Sequence, residues 1–80
     1  MPILYIVVPC YNEQAVIGET TRRLLLKLDE MIILGKCSEK SRILYVDDGS
    51  KDKTASILKE YAKKDSSVKY VIFSRNFISL

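Results

Sequence analysis

The chain has 80 residues, enough for one small domain that buries about 60% of the surface exposed by its unfolded form. A hydrophobic fraction of 48% beside 29% charged residues excludes intrinsic disorder. The net charge of +3, from 13 basic and 10 acidic residues, is spread in alternating signs and not gathered in a block, so nucleic acid is not an expected partner.

Residues 3–8 form a continuous apolar run rich in β-branched side chains, which predicts a strand. Pro9 is expected to end it, because proline has no N–H for a strand ladder. The lack of alternation predicts burial on both faces, as in a parallel sheet covered by helices. From residue 14 to 34 the period changes. Ile17, Thr21, Leu24, Leu28 and Met31 or Ile32 recur every three or four positions, with Glu19, Arg23, Lys27 and Glu30 between them, and this predicts an amphipathic helix. Gly35 is placed to close it in a left-handed conformation.

A second short strand is expected over residues 42–46, followed by the turn-forming cluster Asp47-Asp48-Gly49-Ser50. Ser50 or Asp52 can cap the next helix, predicted over 54–64 with Ala55, Leu58, Tyr61 and Ala62 on its inner face. Lys51, Lys53, Lys59, Lys63 and Lys64 alternate with Asp52, Glu60 and Asp65 in the manner of a solvated face. Residues 68–73 make a third strand. The order β-α-β-α-β with right-handed crossovers gives an α/β fold, a parallel half of a doubly wound, Rossmann-like sheet.

Cys10 and Cys37 are the two cysteines and histidine is absent, which excludes the usual zinc sites and histidine-based triads. Isolated thiols fit a reducing compartment, so a cytoplasmic location is expected. No apolar run approaches the ~20 residues that cross a bilayer, and no signal peptide is recognisable. Neither a G-x-G-x-x-G nor a G-x-x-x-x-G-K-[ST] phosphate loop is present.

Three polar clusters each follow a predicted strand: Tyr11-Asn12-Glu13, Asp47-Asp48-Gly49-Ser50 and Ser74-Arg75-Asn76. Parallel topology brings all three to the carboxyl edge of the sheet, where ligands of such folds bind. Asp47 and Asp48 can accept hydrogen bonds from base or ribose donors, Arg75 can answer a carbonyl or phosphate, and Tyr11 offers a ring for stacking. Each residue also has a plainer use. Asp48-Gly49 is a common turn, Glu13 suits a helix N-terminus, Ser50 and Thr54 suit a helix start, and Cys10 suits packing.

The segments Val7-Val8-Pro9-Cys10-Tyr11-Asn12-Glu13, Val46-Asp47-Asp48-Gly49-Ser50-Lys51-Asp52-Lys53-Thr54 and Ser74-Arg75-Asn76-Phe77 resemble, in order and spacing, the opening motifs of family 2 inverting glycosyltransferases with the GT-A fold. Within that family they look most like enzymes that load a sugar onto a polyprenyl phosphate. The resemblance implies that Pro9, Tyr11 and Glu13 line a nucleoside pocket, that Asp48 supported by Asp47 binds the base, and that Arg75 lies near the base or diphosphate. It implies a UDP- or GDP-sugar donor, a polyprenyl phosphate acceptor, and a site at the cytoplasmic face of a membrane. The family's Mg²⁺ or Mn²⁺ ligands and its acceptor-activating carboxylate come later than residue 80. The chain therefore reads as a truncated, nucleotide-binding front part over residues 1–80, inactive by itself, with an uncovered first strand open to self-association. A non-catalytic nucleotide-binding or subunit-interaction module is the rival reading. A phosphoacceptor receiver domain fits less well, since Asn12-Glu13 and Ser74-Arg75 stand where it needs carboxylates.

Overall fold

The computed structural model describes residues 1–73. Strand β1 (Tyr5–Cys10), helix α1 (Ile17–Ile33), strand β2 (Arg42–Asp47), helix α2 (Thr54–Lys64) and strand β3 (Val68–Ile72) follow in the expected order. The sheet runs β1-β2-β3 with both pairs parallel, Val8 opposite Tyr45 and Tyr45 opposite Tyr70. Two right-handed crossovers in one direction put both helices on the same face. The helices meet there, with the Tyr61 hydroxyl 3.3 Å from where a Cβ on Gly18 would lie.

One-sided cover corrects the expectation that residues 3–8 are buried on both faces. Along β2, Ile43, Tyr45 and Asp47 are buried while Arg42, Leu44 and Val46 are half-buried. Along β1, Ile6 and Val8 are half-buried and Cys10 is buried, but Ile3 and Val7 are 56% and 58% exposed. Val71 and Phe73 are exposed as well. An unbroken apolar run thus packs on one side only, because both crossovers pass over the same face. The core is the set of inward side chains Cys10, Ile17, Leu28, Ile43, Tyr45, Leu58 and Val68 with Cys37.

Pro9 lies inside β1 and does not end it. The bonds that bracket the β1–β2 pair run from Arg42 N–H to the Leu4 carbonyl and from Asp48 N–H to the Cys10 carbonyl, at 2.9 and 3.0 Å. Even-numbered β1 residues therefore turn their backbone groups to β2, and Tyr5, Val7 and Pro9 turn theirs to the edge left open among the described residues. A missing N–H at Pro9 costs the ladder nothing there.

Helix α1 starts at Ile17, later than the periodicity suggests, because the amides of Val16 and Ile17 both bond the Glu13 carbonyl and hold residues 14–16 in a turn. Its end matches the expected stop. Gly35 has φ 73°, its N–H bonds the Ile32 carbonyl, and Lys36 N–H bonds the Met31 carbonyl, the paired bonds of a Schellman closure. Strand β3 ends one residue earlier than expected, at Ile72.

A buried polar chain ties α1 to β2. The Thr21 hydroxyl donates to the Ile17 carbonyl at 2.7 Å, so its single proton is used and the Tyr45 hydroxyl must donate to Thr21 Oγ1. Both residues are fully buried, and burial raises the Tyr45 pKa above its ordinary value. Thr21→Val strands the Tyr45 hydroxyl and is expected to cost about 1–3 kcal/mol, whereas Tyr45→Phe leaves Thr21 bonded to its own helix and costs less, on the order of 1 kcal/mol. Urea denaturation of the two variants checks this order, and a reversed ranking refutes the assigned donor direction.

Candidate functional site

The site is built at the carboxyl edge, where the loop after β1 (residues 11–16) meets the loop after β2 (residues 48–53). Gly49 has φ 78° and lets the second loop turn back beside the first, while Asn12 adopts φ 50°, a left-handed conformation that asparagine tolerates. What holds the loops together is a set of cross-loop hydrogen bonds that sequence reasoning did not find.

Three consecutive amides of the first loop are taken by side chains of the second loop and of the first residue of α2. Asn12 N–H donates to Ser50 Oγ at 2.8 Å, Glu13 N–H to Thr54 Oγ1 at 2.9 Å, and Gln14 N–H to Asp52 Oδ2 at 3.1 Å. Each hydroxyl hands its own proton to a carboxylate: Ser50 to Asp47 Oδ1, and Thr54 to Asp52 Oδ1. The first loop reciprocates. Asn12 Oδ1 accepts from Lys51 N–H at 2.7 Å, and Gln14 Oε1 accepts from Lys53 N–H at 3.0 Å. The N-cap position of α2 is Lys53, whose side chain makes no cap bond; of the two residues expected to cap, Asp52, one position earlier, accepts the Thr54 N–H at 2.9 Å, while Ser50 turns to Asp47.

Asp47 closes β2 with 0% exposure. Its carboxylate receives the Ser50 hydroxyl and the Ser50 N–H at 3.1 Å, and the Cys10 thiol lies 3.9 Å away. The group is thus used within the protein and supports the loop that carries Asp48. Asp48 is exposed at the edge, and Tyr11 and Glu13 are partly exposed in the facing loop. Pro9 is exposed on the uncovered face of β1. Arg75, with Ser74 and Asn76, lies outside the described residues. The structure therefore sets Tyr11 and Glu13 on one loop and Asp48 on the loop hydrogen-bonded to it, and gives Asp47 an inward role. Two shallow concavities of about 370 and 340 Å³ lie along α2, around Tyr61 and Tyr70.

Cys10 is packed and not poised for attack. Burial, and then the negative charge of Asp47, push its thiol up to about 11. Among the described residues no group of three histidine, cysteine or acidic side chains is arranged to hold a metal ion. No described helix is long and apolar enough to cross a membrane.

Three parallel strands with two helices on one face, and acidic and aromatic residues on the loops at their carboxyl ends, define the class as a Rossmann-like parallel half-sheet, consistent with part of a GT-A fold. The family model "Glycosyl transferase family 2" matches residues 5–79, and the chain belongs to that family. It is 46% identical over 72 residues to an uncharacterized glycosyltransferase, YkcC, of Bacillus subtilis, covering 90% of this chain and 20% of the relative. A second Bacillus subtilis relative, the uncharacterized glycosyltransferase YkoT, is 47% identical over 57 residues, 71% of this chain and 17% of its own. The undecaprenyl-phosphate 4-deoxy-4-formamido-L-arabinose transferase of Pseudomonas aeruginosa is 40% identical over 76 residues, 94% of this chain and 21% of its own. The chain thus spans about a fifth of the length of these relatives. No solved structure matches it significantly.

The Asp52 carboxyl titrates below its ordinary 3.8, chiefly because the Thr54 hydroxyl donates to the charged form. A folded pKa below the unfolded one means that the clasp is at full strength above about 3.8 and is lost as pH falls through the lower, folded value. An NMR titration should show Asp52 moving back toward 3.8 in Thr54→Val. An unchanged Asp52 titration would show that the hydroxyl is not the cause.

Proposed function

We propose that this chain supplies the donor-nucleotide part of a glycosyltransferase that uses a UDP- or GDP-sugar and delivers the sugar to a polyprenyl phosphate at the cytoplasmic face of a membrane. The observation that carries the reading is the meeting of Tyr11, Glu13 and Asp48 on two interlocked loops at the carboxyl edge of a parallel sheet. Asp48 accepts donors of the base, Tyr11 stacks against it, and Glu13 reaches the ribose hydroxyls, with Pro9 shaping the approach and Arg75 answering the base carbonyl or diphosphate. The acceptor class is supported by the undecaprenyl-phosphate transferases among the relatives.

Family 2 enzymes commonly use a divalent metal, and the described residues do not fit Mg²⁺ or Mn²⁺. The Asp47 carboxylate is spent on Ser50, the Asp52 carboxylate on Thr54 and Gln14, and no third acidic group joins either. Nucleoside recognition falls instead to Tyr11, Glu13 and Asp48. Calorimetric titration with UDP and GDP tests this. Asp48→Ala is expected to weaken binding by about 1.5–3 kcal/mol, and Lys59→Ala, on the solvated side of α2, by less than about 0.5 kcal/mol. Equal losses would mean non-specific charge attraction and would refute the pocket.

The open edge of β1 favours self-association of the isolated chain. Tyr5 and Val7 direct backbone groups away from β2 and expose their side chains on an apolar sheet face shared with Val71 and Phe73. Sedimentation velocity at micromolar concentration should show concentration-dependent association that Val7→Lys suppresses. A monomer at every concentration refutes it.

A further inference from the structure

We propose that Ser50 and Thr54 are positioning residues which lock the two site loops in their ligand-ready form before any nucleotide arrives. The inference rests on the nucleotide reading above. It starts from a feature that reading does not use: the amides of Asn12, Glu13 and Gln14 point together toward the second loop, and Asn12 is in the left-handed conformation that lets adjacent N–H groups converge. A concavity of this kind attracts anions such as phosphate.

Here the protein fills it with its own groups. The Ser50 hydroxyl stands between the Asn12 amide and the buried Asp47 carboxylate, and the Thr54 hydroxyl between the Glu13 amide and Asp52. Each hydroxyl is polarised from both sides, since donating to a charged acceptor makes its oxygen a better acceptor for the amide. Two consequences follow. The diphosphate of a nucleotide sugar finds no seat on these amides and must be held elsewhere. Tyr11 and Asp48, one residue from Asn12 and two from Ser50, are held in place without waiting for a ligand to order them, so binding does not have to supply the entropy of fixing the loops.

The test compares Ser50→Ala with Ser50→Thr, which restores a hydroxyl, by amide hydrogen exchange of the ligand-free chain and by UDP and GDP titration. In Ser50→Ala, exchange at Asn12 and Lys51 should accelerate about tenfold while the Tyr45 amide in β2 holds its rate, and nucleotide affinity should fall about five- to tenfold. Ser50→Thr should recover both. Unchanged exchange at Asn12 and Lys51 in Ser50→Ala overturns the lock. Accelerated exchange with unchanged affinity overturns its role in positioning. A pyrophosphate titration that shifts the resonances of residues 12–14 overturns the claim that these amides are already occupied. Failure of the unmodified chain to bind either nucleotide would count against the nucleotide reading and not against the lock, which the exchange rates decide independently.

Discussion

A carboxylate without solvent exposure has to find donors inside the protein, and at the end of the central strand this requirement shapes everything around it. Asp47 sits at 0% exposure and takes the hydroxyl and amide of Ser50, three residues on. That pulls the chain into the tight turn at Gly49 and fixes where the Ser50 oxygen stands. The position of that oxygen then determines where Asn12 can go, and with it the whole loop after the first strand. A neutral apolar residue at position 47 would pack as well beneath the sheet but would give the turn no anchor.

The neighbouring relay through the buried Thr54 hydroxyl and Asp52 repeats the arrangement, with a difference that matters physically. Asp52 is half-buried, so water reaches its carboxylate and its contribution depends on pH and salt. Asp47 is sealed from solvent, so its bonds have no competitor. The edge thus has one permanent fastening and one adjustable one.

Much of this was legible in the sequence. Order, direction and type of every element followed from the change of hydrophobic period and from Gly35, because these are local signals read by local geometry. Membership of the glycosyltransferase family was legible in the motifs around Pro9, Asp47 and Asp48. Two things were not. The side from which β1 is covered depends on where α1 and α2 cross, a property of the whole chain to which the run of residues 3–8 carries no clue. The clasp was also hidden. Ser50 and Thr54 each had a sufficient local reading at the helix start, and the residues they meet, Asn12 and Glu13, lie about forty positions away. The signal that could have revealed them is the pairing of a polar loop after one strand with a hydroxyl-rich loop after its neighbour, since unsatisfied amides on one side need acceptors from the other.

The proline in β1 has a further effect on how the molecule can meet another strand. A ladder is a periodic template, and recruitment along the open edge requires a donor at every second residue. Tyr5 and Val7 supply them and Pro9 does not. An incoming strand is therefore phased: its favourable registers cluster toward the amino-terminal half of β1, and sliding toward the carboxyl end leaves one of its carbonyls facing a ring methylene. The template is polar in this sense, directing strand addition away from the loops that carry Tyr11 and Asp48.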